Sequence, residues 1–522
     1  MRRRKPVPPT RRATLRLLRR APVGARVPWY AFWRERVTPD AIVRADLALF
    51  QRVARWDTPL GDRVLPRLTR AANHSRLWMV IAVALDLAGG RFERRAALRG
   101  MVSVGLASAI ANVPAKLIAR RVRPDQTGVP MVRRLARLPS SSSFPSGHSA
   151  SAFAFATGAS IEKPALAPVL LPLAGAVAFS RVYTGVHYPS DVAVGSALGV
   201  GVAFATRRWW PVAPEEPAGA PARLTHLADR PGSDGEGLVV VANPGAGPTF
   251  GPDTAEALRA ELPAVQVVER EPDDDLTHTL EKAAAGATVL GVCGGDGSVN
   301  AAAAVARRLG EPLVVVPGGT LNHFARDLGL HDVSDVVEAV RAGHTVAVDV
   351  GEIDGRVFMN TASLGSYVDL VDAREALESR IGKWPAVLVA LLRVLRRGRP
   401  VEVEIDGRRM KVWMVFVGNC AYHPRGLTPS WRERLDDGLL DVRIVDGTEP
   451  YGRLRLMWAL LTGTLGTSRV YRCFTTTGPV RVRSLDGPLR LARDGETFDA
   501  SATEFTIGKS DEPLTVFAPR RD

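Results

Sequence analysis

Hydrophobic positions follow two regimes along the chain, and the change falls near residue 207. Before it, apolar residues gather into five nearly uncharged segments, near 76–90, 100–118, 149–162, 164–182 and 191–206. Each is roughly 13–18 residues, just short of the ~20 that crosses a bilayer comfortably. Glycine and alanine recur in them, which suits helices that pack closely in a membrane. A soluble helical bundle is the competing reading. An amphipathic helix begins at Ala45–Phe50, better suited to lying at an interface than to spanning.

Residues 207–236 lose all periodicity and are rich in Pro, Ala, Gly and acidic side chains, which reads as a linker. Trp209 and Trp210 at its start read as an interfacial anchor. From residue 237 strands and helices alternate. Strands are expected at 237–241, 265–269, 288–293 and 312–316, with helices at 254–262, 275–286 and 299–309. That succession implies a parallel sheet with ligands at the strand C-termini. Beyond about 345 short alternating runs are separated by Asp-Gly turns, such as Asp354-Gly355 and Asp494-Gly495, which predicts an antiparallel sheet. One helix, roughly 383–396, interrupts it, either facing the core or forming a lid over a lipid tail.

The expected architecture is therefore multidomain. A basic tail (1–39) precedes an all-α membrane helical bundle (40–206); after the linker come an α/β nucleotide-binding domain (237–345) and an antiparallel β-sandwich domain (346–522). The 522 residues exceed what one core organises. The net charge of +15 admits a nucleic-acid partner, but no recognition motif accompanies it. Attraction to anionic lipid head groups fits the apolar segments better. Three cysteines, Cys293, Cys420 and Cys473, form neither a disulfide framework nor a zinc-binding pair, and point to a reducing compartment. The basic N-terminus carries no cleavable signal peptide.

Between 116 and 191 three groups of polar and charged residues stand out: Lys116 with Arg123 and Pro124; Pro145-Ser146-Gly147-His148; and Ser180-Arg181 with His187 and Asp191. Such residues are costly in an apolar segment unless they pair or serve a site. Together they suit phosphate-ester cleavage. Lys116, Arg123 and Arg181 can hold non-bridging oxygens. His187 can attack phosphorus, Asp191 can fix its tautomer, and His148 can protonate the departing alkoxide. Ser146 and the Gly147 N–H can donate to the phosphate. No metal is required. These motifs resemble the type 2 phosphatidic-acid phosphatase family over about residues 40–206, and the resemblance implies those same roles.

In the second half, glycine-rich turns follow successive strands: Asn243-Pro244-Gly245-Ala246-Gly247, Gly294-Gly295-Asp296-Gly297-Ser298 and Gly318-Gly319-Thr320-Leu321-Asn322. Such turns bring backbone N–H groups to phosphates. No Walker A lysine is present. Residues 237–520 resemble the diacylglycerol kinase catalytic-domain family, which includes sphingosine and bacterial lipid kinases. The resemblance implies ATP binding by the turn from Asn243 to Gly247, by Gly294, Gly295, Asp296, Gly297 and Ser298, and by Thr320 and Asn322. It also implies a general base at Glu496, a Mg²⁺ at Asp437 and another Mg²⁺ with the nucleotide. The chain departs from the family where Asn322-His323-Phe324-Ala325 replaces Asn-Asp-Phe-Ala, and where Glu269-Arg270 stand in place of a threonine. NAD kinases share the Gly-Gly-Asp-Gly turn; Thr320 to Asn322 and Asp494-Gly495-Glu496 favour the lipid kinases.

The expected function is a multi-pass membrane protein with a lipid-phosphate phosphatase and an ATP-dependent lipid kinase, acting on diacylglycerol or a related alcohol. A kinase with an inert anchor, a polyprenyl-phosphate phosphatase paired with a kinase, and a non-enzymatic scaffold are the alternatives. Arginines at 91, 94, 95 and 99 and at 207–208 place those ends in the cytoplasm, with the kinase there and the phosphatase site outside.

Overall fold

The computed structural model describes residues 40–520 except 57, 116–120, 136–141, 215, 224–229, 244–251, 272, 320–321 and 427–428. Lys116, Gly247 and Thr320 lie outside the described residues. The chain divides into two compact units at residues 207/208.

The first unit is helical: α1 (Asp40–Ala54), α2 (Pro59–Ala71), α3 (Arg76–Leu87), α4 (Arg91–Ile110), α5 (Gly147–Glu162), α6 (Ala167–Tyr183) and α7 (Pro189–Thr206). Helix α5 is apolar all round, and so it lies at the centre, packed on α4, α6 and α7. Its alanines at 150, 152, 154, 156 and 159 are fully buried. Helix α7 approaches it through Gly195 and Gly199, where a Cβ would collide with the α5 backbone at Ser146 and Ala150. Phe155 stacks on Trp78, ring centroids 5.3 Å apart, and joins α5 to α3.

The five expected spans need correction. Among the described residues, three helices are long and apolar enough to cross a membrane: Arg91–Val113, Pro164–Tyr183 and Pro189–Thr206. The 12-residue α3 rises only about 18 Å and the 16-residue α5 about 24 Å, below the ~30 Å of a hydrocarbon core. Two of the arginines used for orientation, Arg95 and Arg99, are also committed to ion pairs. Arg99, wholly buried, donates to Glu162 Oε1 at 2.6 Å and to Thr206 Oγ1 at 2.9 Å, while Arg95 reaches Glu162 Oε2 at 2.8 Å. This clasp ties α4, α5 and α7 at one end of the bundle. Because successive helices run up and down, the end of α4, the start of α5, the end of α6 and the start of α7 meet at the other.

The second unit holds two sheets. The strands are β1 (Ala222–Arg223), β2 (Leu238–Ala242), β3 (Gln266–Glu269), β4 (Val289–Gly294), β5 (Leu313–Pro317), β6 (Thr345–Val348), β7 (Gly351–Ile353), β8 (Arg356–Phe358), β9 (Thr361–Gly365), β10 (Val401–Ile405), β11 (Arg408–Asn419), β12 (Tyr422–His423), β13 (Trp431–Arg432), β14 (Leu440–Asp446), β15 (Tyr471–Thr476), β16 (Val480–Ser484), β17 (Arg490–Arg493), β18 (Glu496–Asp499), β19 (Glu504–Lys509) and β20 (Leu514–Phe517). The helices are α8 (Pro252–Glu261), α9 (Leu276–Ala284), α10 (Asp296–Leu309), α11 (His323–Leu328), α12 (Val333–Ala342), α13 (Ser366–Ile381), α14 (Lys383–Arg397) and α15 (Gly452–Thr462).

The first sheet has the order β1-β6-β20-β5-β4-β2-β3, parallel from β20 through β3. Its central strands read LVVVA, VLGVCG and LVVVP and are buried on both faces, as a helix-covered parallel sheet requires. The second sheet has eleven strands, and every pairing in it is antiparallel.

Two boundaries differ from those read in the sequence. The expected linker supplies the edge strand β1, and β20, from the far end of the second domain, returns to the first sheet between β5 and β6. Among the described residues three helices, not one, interrupt the antiparallel region. Helices α13 and α14 pack on each other as a hairpin, with Ala386 and Ala390 of α14 buried and Val389 and Leu392 exposed.

Candidate active sites

At one end of the helical unit, the start of α7 and the end of α6 hold a buried polar cluster. Arg181 ends α6 and donates to Thr69 Oγ1 of α2 at 2.9 Å; its Nε has no hydrogen-bond partner. Among the described residues no carboxylate lies within ion-pair reach of it. His187 follows in the turn, whose backbone bonds back to the Arg181 carbonyl through Val186 and His187 N–H. Its Nε2 stands 3.4 Å from an Arg123 amino group, which also donates to the Val186 carbonyl at 2.8 Å. Its Nδ1 stands 3.7 Å from Asp191 Oδ2, beyond hydrogen-bond reach. Burial pulls the His187 imidazole down to about 4, helped by Arg181 and Arg123 and opposed by Asp191. The ring is therefore neutral, as a nucleophile must be.

Asp191 lies in the first turn of α7, where Tyr188 N–H donates to Oδ2 at 2.9 Å. Its Oδ1 accepts from Arg121 at 2.7 Å. Arg121 also donates to Asp46 of α1 at 2.7 Å and to Ser190 Oγ at 2.7 Å, and lies over the Tyr188 ring. Ser146 caps α5: its Oγ accepts from Ser149 Oγ at 2.8 Å, and its N–H donates to the Asp191 carbonyl at 3.0 Å. Gly147 opens α5, directing a helix N-terminus at this end of the bundle. His148 Nε2 pairs with Asn73 Oδ1 at 2.8 Å.

The structure thus joins Arg123, Arg181, His187, Asp191 and Ser146 in one cluster, with Gly147 next to Ser146 at the start of α5 and the His148 side chain directed to Asn73. It adds four residues the sequence did not single out: Asp46, Thr69, Asn73 and Arg121. Arg121 was visible as an extra arginine inside the Lys116 to Arg123 motif; the other three carry no local signal.

In the second unit, the turns after β4 and β5 lie on each other. A Cβ at Gly319 would collide with Gly295, so only glycine permits the approach. A Cβ at Gly297 would collide with the Glu496 carboxylate, which sets the expected base against the Gly294–Ser298 loop. The Asp494-Gly495 hairpin turn, both residues at positive φ, delivers Glu496 at the start of β18. Asp494 holds that turn down by accepting backbone N–H groups of Met359 (2.9 Å) and Asn360 (3.0 Å). Burial still pushes its carboxyl up to about 6 against those donors.

The other expected nucleotide residues have local partners. Asp296 accepts from His323 N–H and Phe324 N–H at 3.2 Å and from Asn360 Nδ2 at 3.0 Å, so its carboxylate caps α11. Asn322, left-handed, closes its own turn on Gly319. Asn243 Nδ2 donates to Ser298 Oγ at 2.9 Å, and Arg270 donates to Asn243 Oδ1 at 3.2 Å. Arg270, standing where the family has threonine, therefore lies at the first turn. Gly294 ends β4, and Gly295 precedes α10.

Asp437 gathers with Asp349 and Cys420, their donor atoms within 4.8 Å of one another. The Lys509 ammonium sits among them, paired with Asp349, 3.4 Å from Cys420 Sγ and 3.5 Å from Asp437 Oδ1. Backbone N–H groups of Ala421 and Leu439 satisfy both Asp437 oxygens at 2.8 Å. This donor set suits the ammonium it holds better than a divalent cation.

Residues 96–214 match the PAP2 superfamily, residues 237–353 the diacylglycerol kinase catalytic domain, and residues 369–510 the YegS C-terminal NAD kinase beta sandwich-like domain. These matches support a fusion of a PAP2-superfamily region with a diacylglycerol kinase catalytic-domain region that continues into a YegS-like C-terminal region. It is similar to the Bacillus subtilis diacylglycerol kinase, 31% identical over 33% of this chain and 59% of that protein. It is similar to the Pseudomonas aeruginosa "Probable lipid kinase YegS-like", 28% identical over 48% of this chain and 86% of that protein. The chain spans 52–59% of the length of the curated diacylglycerol kinases it matches. Among solved structures, a diacylglycerol kinase from Bacillus anthracis aligns with a TM-score of 0.37 at 20% identity, covering 54% of this chain and 96% of that one. A transmembrane PAP2-type phosphatidylglycerolphosphate phosphatase from Bacillus subtilis aligns with a TM-score of 0.28 at 23% identity, covering 34% and 91%.

Proposed function

We propose that the chain is a bifunctional enzyme that removes phosphate from a lipid phosphate and transfers the ATP γ-phosphoryl group to a lipid hydroxyl, with diacylglycerol the first acceptor to test. In the helical unit, Arg123, Arg181 and Lys116 hold the non-bridging oxygens. His187 Nε2 attacks phosphorus, the P–O bond to the lipid breaks, and His148 delivers a proton to the alkoxide. Water then cleaves the phosphohistidine. The observation that carries this half is Arg181: a buried guanidinium with no carboxylate partner among the described residues calls for an anion such as phosphate.

In the second unit, Glu496 accepts the proton of the lipid hydroxyl, whose oxygen attacks the γ-phosphorus as ADP leaves. Magnesium arrives with the nucleotide as part of the substrate. The carrying observation is Glu496 lying against Gly297. Asp372 of α13 meets Arg490 and Thr497 beside that glutamate, so the α13–α14 hairpin flanks the strand bearing the base and offers apolar surface for acyl chains.

The experiment is phosphate balance on purified protein in detergent. One sample holds diacylglycerol, Mg²⁺ and γ-labelled ATP; the other holds phosphatidic acid with EDTA. Wild type is expected to label lipid in the first and release phosphate in the second. Glu496→Gln should lose only the first and His187→Ala only the second. Release that survives His187→Ala would overturn the phosphohistidine step. The 3.7 Å gap between His187 and Asp191 favours the rival reading, an inert anchor, which predicts no release from wild type with any lipid phosphate, polyprenyl phosphates included.

We further infer that the two sites face opposite sides of the membrane, outside for the phosphatase and cytoplasmic for the kinase, so that together they recycle a lipid that changes leaflet. A reporter fused near residue 130 that proves cytoplasmic would remove this idea.

A further inference from the structure

Helix α15 is apolar on two faces. Leu456, Ala459 and Leu460 pack inward against Trp413, Val445 and Tyr471. On the opposite side Leu454, Trp458 and Leu461, spaced i, i+4 and i+7, are 64%, 69% and 71% exposed. A helix covering a core normally turns charged residues outward. Here the outward side is a continuous apolar stripe, which on a water-soluble surface marks a contact with something apolar.

Two observations identify the occupant. The stripe is edged by arginines. Arg208 is exposed beside it, Arg455 is exposed and paired with Glu449 at 2.8 Å, and Arg453 binds the Arg396 and Gly398 carbonyls that end α14. The helix is also bonded to the chain just beyond a candidate span. Trp209 Nε1 donates to the Leu460 carbonyl at 2.9 Å, and the Gly463 turn rests on Arg208 and Trp209. Trp209 follows Thr206, the last residue of α7, by three positions. An indole there belongs at a membrane–water interface.

We propose that the outer face of α15 docks on an anionic phospholipid bilayer, the same one that α7 crosses, with Leu454, Trp458 and Leu461 at the headgroup–acyl boundary. Such a helix lies in the interface, its apolar side chains buried and its arginines among the phosphates. Docking would carry lipid from the bilayer to the kinase unit without desorption. The inference depends on α7 spanning; its quenching readout is independent of either enzymatic reading, and only its KM readout rests on the kinase reading.

The test uses full-length protein in nanodiscs containing phosphatidylglycerol, with Cys473→Ser to leave only buried native thiols. An environment-sensitive fluorophore is attached at Leu461→Cys, at Leu309→Cys as a control on α10, and at Val194→Cys as a control on α7. Nitroxide lipids should quench the probes at 461 and 194 and spare the one at 309, and neutral nanodiscs should weaken quenching at 461 only. In the same discs Trp458→Ser with Leu461→Ser should raise the KM for lipid acceptor several-fold and leave the KM for ATP unchanged. If 461 is as open to an aqueous quencher as 309, the proposal fails. If 461 is shielded from water, unquenched by lipid nitroxides and cross-links to 461 of a second copy, the face is a dimer contact and the proposal fails too. An unquenched probe at 194 removes the span and the docking with it.

Discussion

Arg121 holds Asp191 at 2.7 Å through a guanidinium whose other amino group holds Asp46 at the same distance. The carboxylate expected to orient the nucleophile is thus itself oriented from α1, 145 positions earlier in the chain. Arg121→Gln should lower kcat for phosphate release about 100-fold, the scale of a misplaced catalytic group, with little change in KM. Asp46→Asn should reproduce it, and kinase turnover should not move. Equal loss of both activities would reduce Arg121 to a structural part.

The His187 ring titrates near 4 in place of 6.5, and the sign of the consequence is fixed. Its folded pKa is below the unfolded one, so the unfolded chain binds more protons between those values. Its contribution to stability is then complete above about 6.5 and is lost as pH falls toward about 4. Phosphate release should hold level from neutral pH to below 6 and fall near 4, once the substrate's own ionisation is followed by phosphorus NMR in the same dispersion. A limb near 6.5 would show a solvated imidazole.

Glu162 binds two arginines, one of them wholly buried. Removing it leaves Arg99 without compensation, so Glu162→Ala should cost about 3–5 kcal/mol, read as thermal unfolding in detergent. Arg99→Leu with Glu162→Leu should recover most of that. Phosphate release per folded molecule should persist in the double variant, because the clasp sits at the end of the bundle away from His187.

Lys509 supplies the positive charge among Asp349, Cys420 and Asp437. Without nucleotide, wild type should unfold at the same temperature in EDTA and in millimolar Mg²⁺. Lys509→Met should unfold earlier in EDTA and regain part of the loss in Mg²⁺ or Mn²⁺. A wild-type protein that itself unfolds earlier in EDTA would place a divalent cation at Asp437.

Much of the placement of both candidate sites could be read from sequence because their residues come as short motifs fixed to helix ends and strand ends. Asp191 falls in the first turn of α7, Ser146 caps α5, and the glycines close strand-to-helix turns. What could not be read is pairing at long range. Thr69 and Asn73 are small polar residues in an amphipathic region, and nothing near them reveals that they meet Arg181 and His148. The span count failed on length, since α5 is as apolar as its neighbours but is buried by them. Helix α15 escaped detection because apolar residues on both faces erase its period. The second boundary moved because a four-residue strand, β20, gives no sign of which sheet will take it.

The position of β20 also bears on how the protein is made. The sheet that carries the glycine turns stays open between β5 and β6 until residues 514–517 have left the ribosome. That sheet therefore cannot close before then, although the strands bearing the turns emerge some two hundred residues earlier. The membrane helices are inserted well before then, so the newborn chain passes through a stage in which the helical unit is complete and the kinase is not.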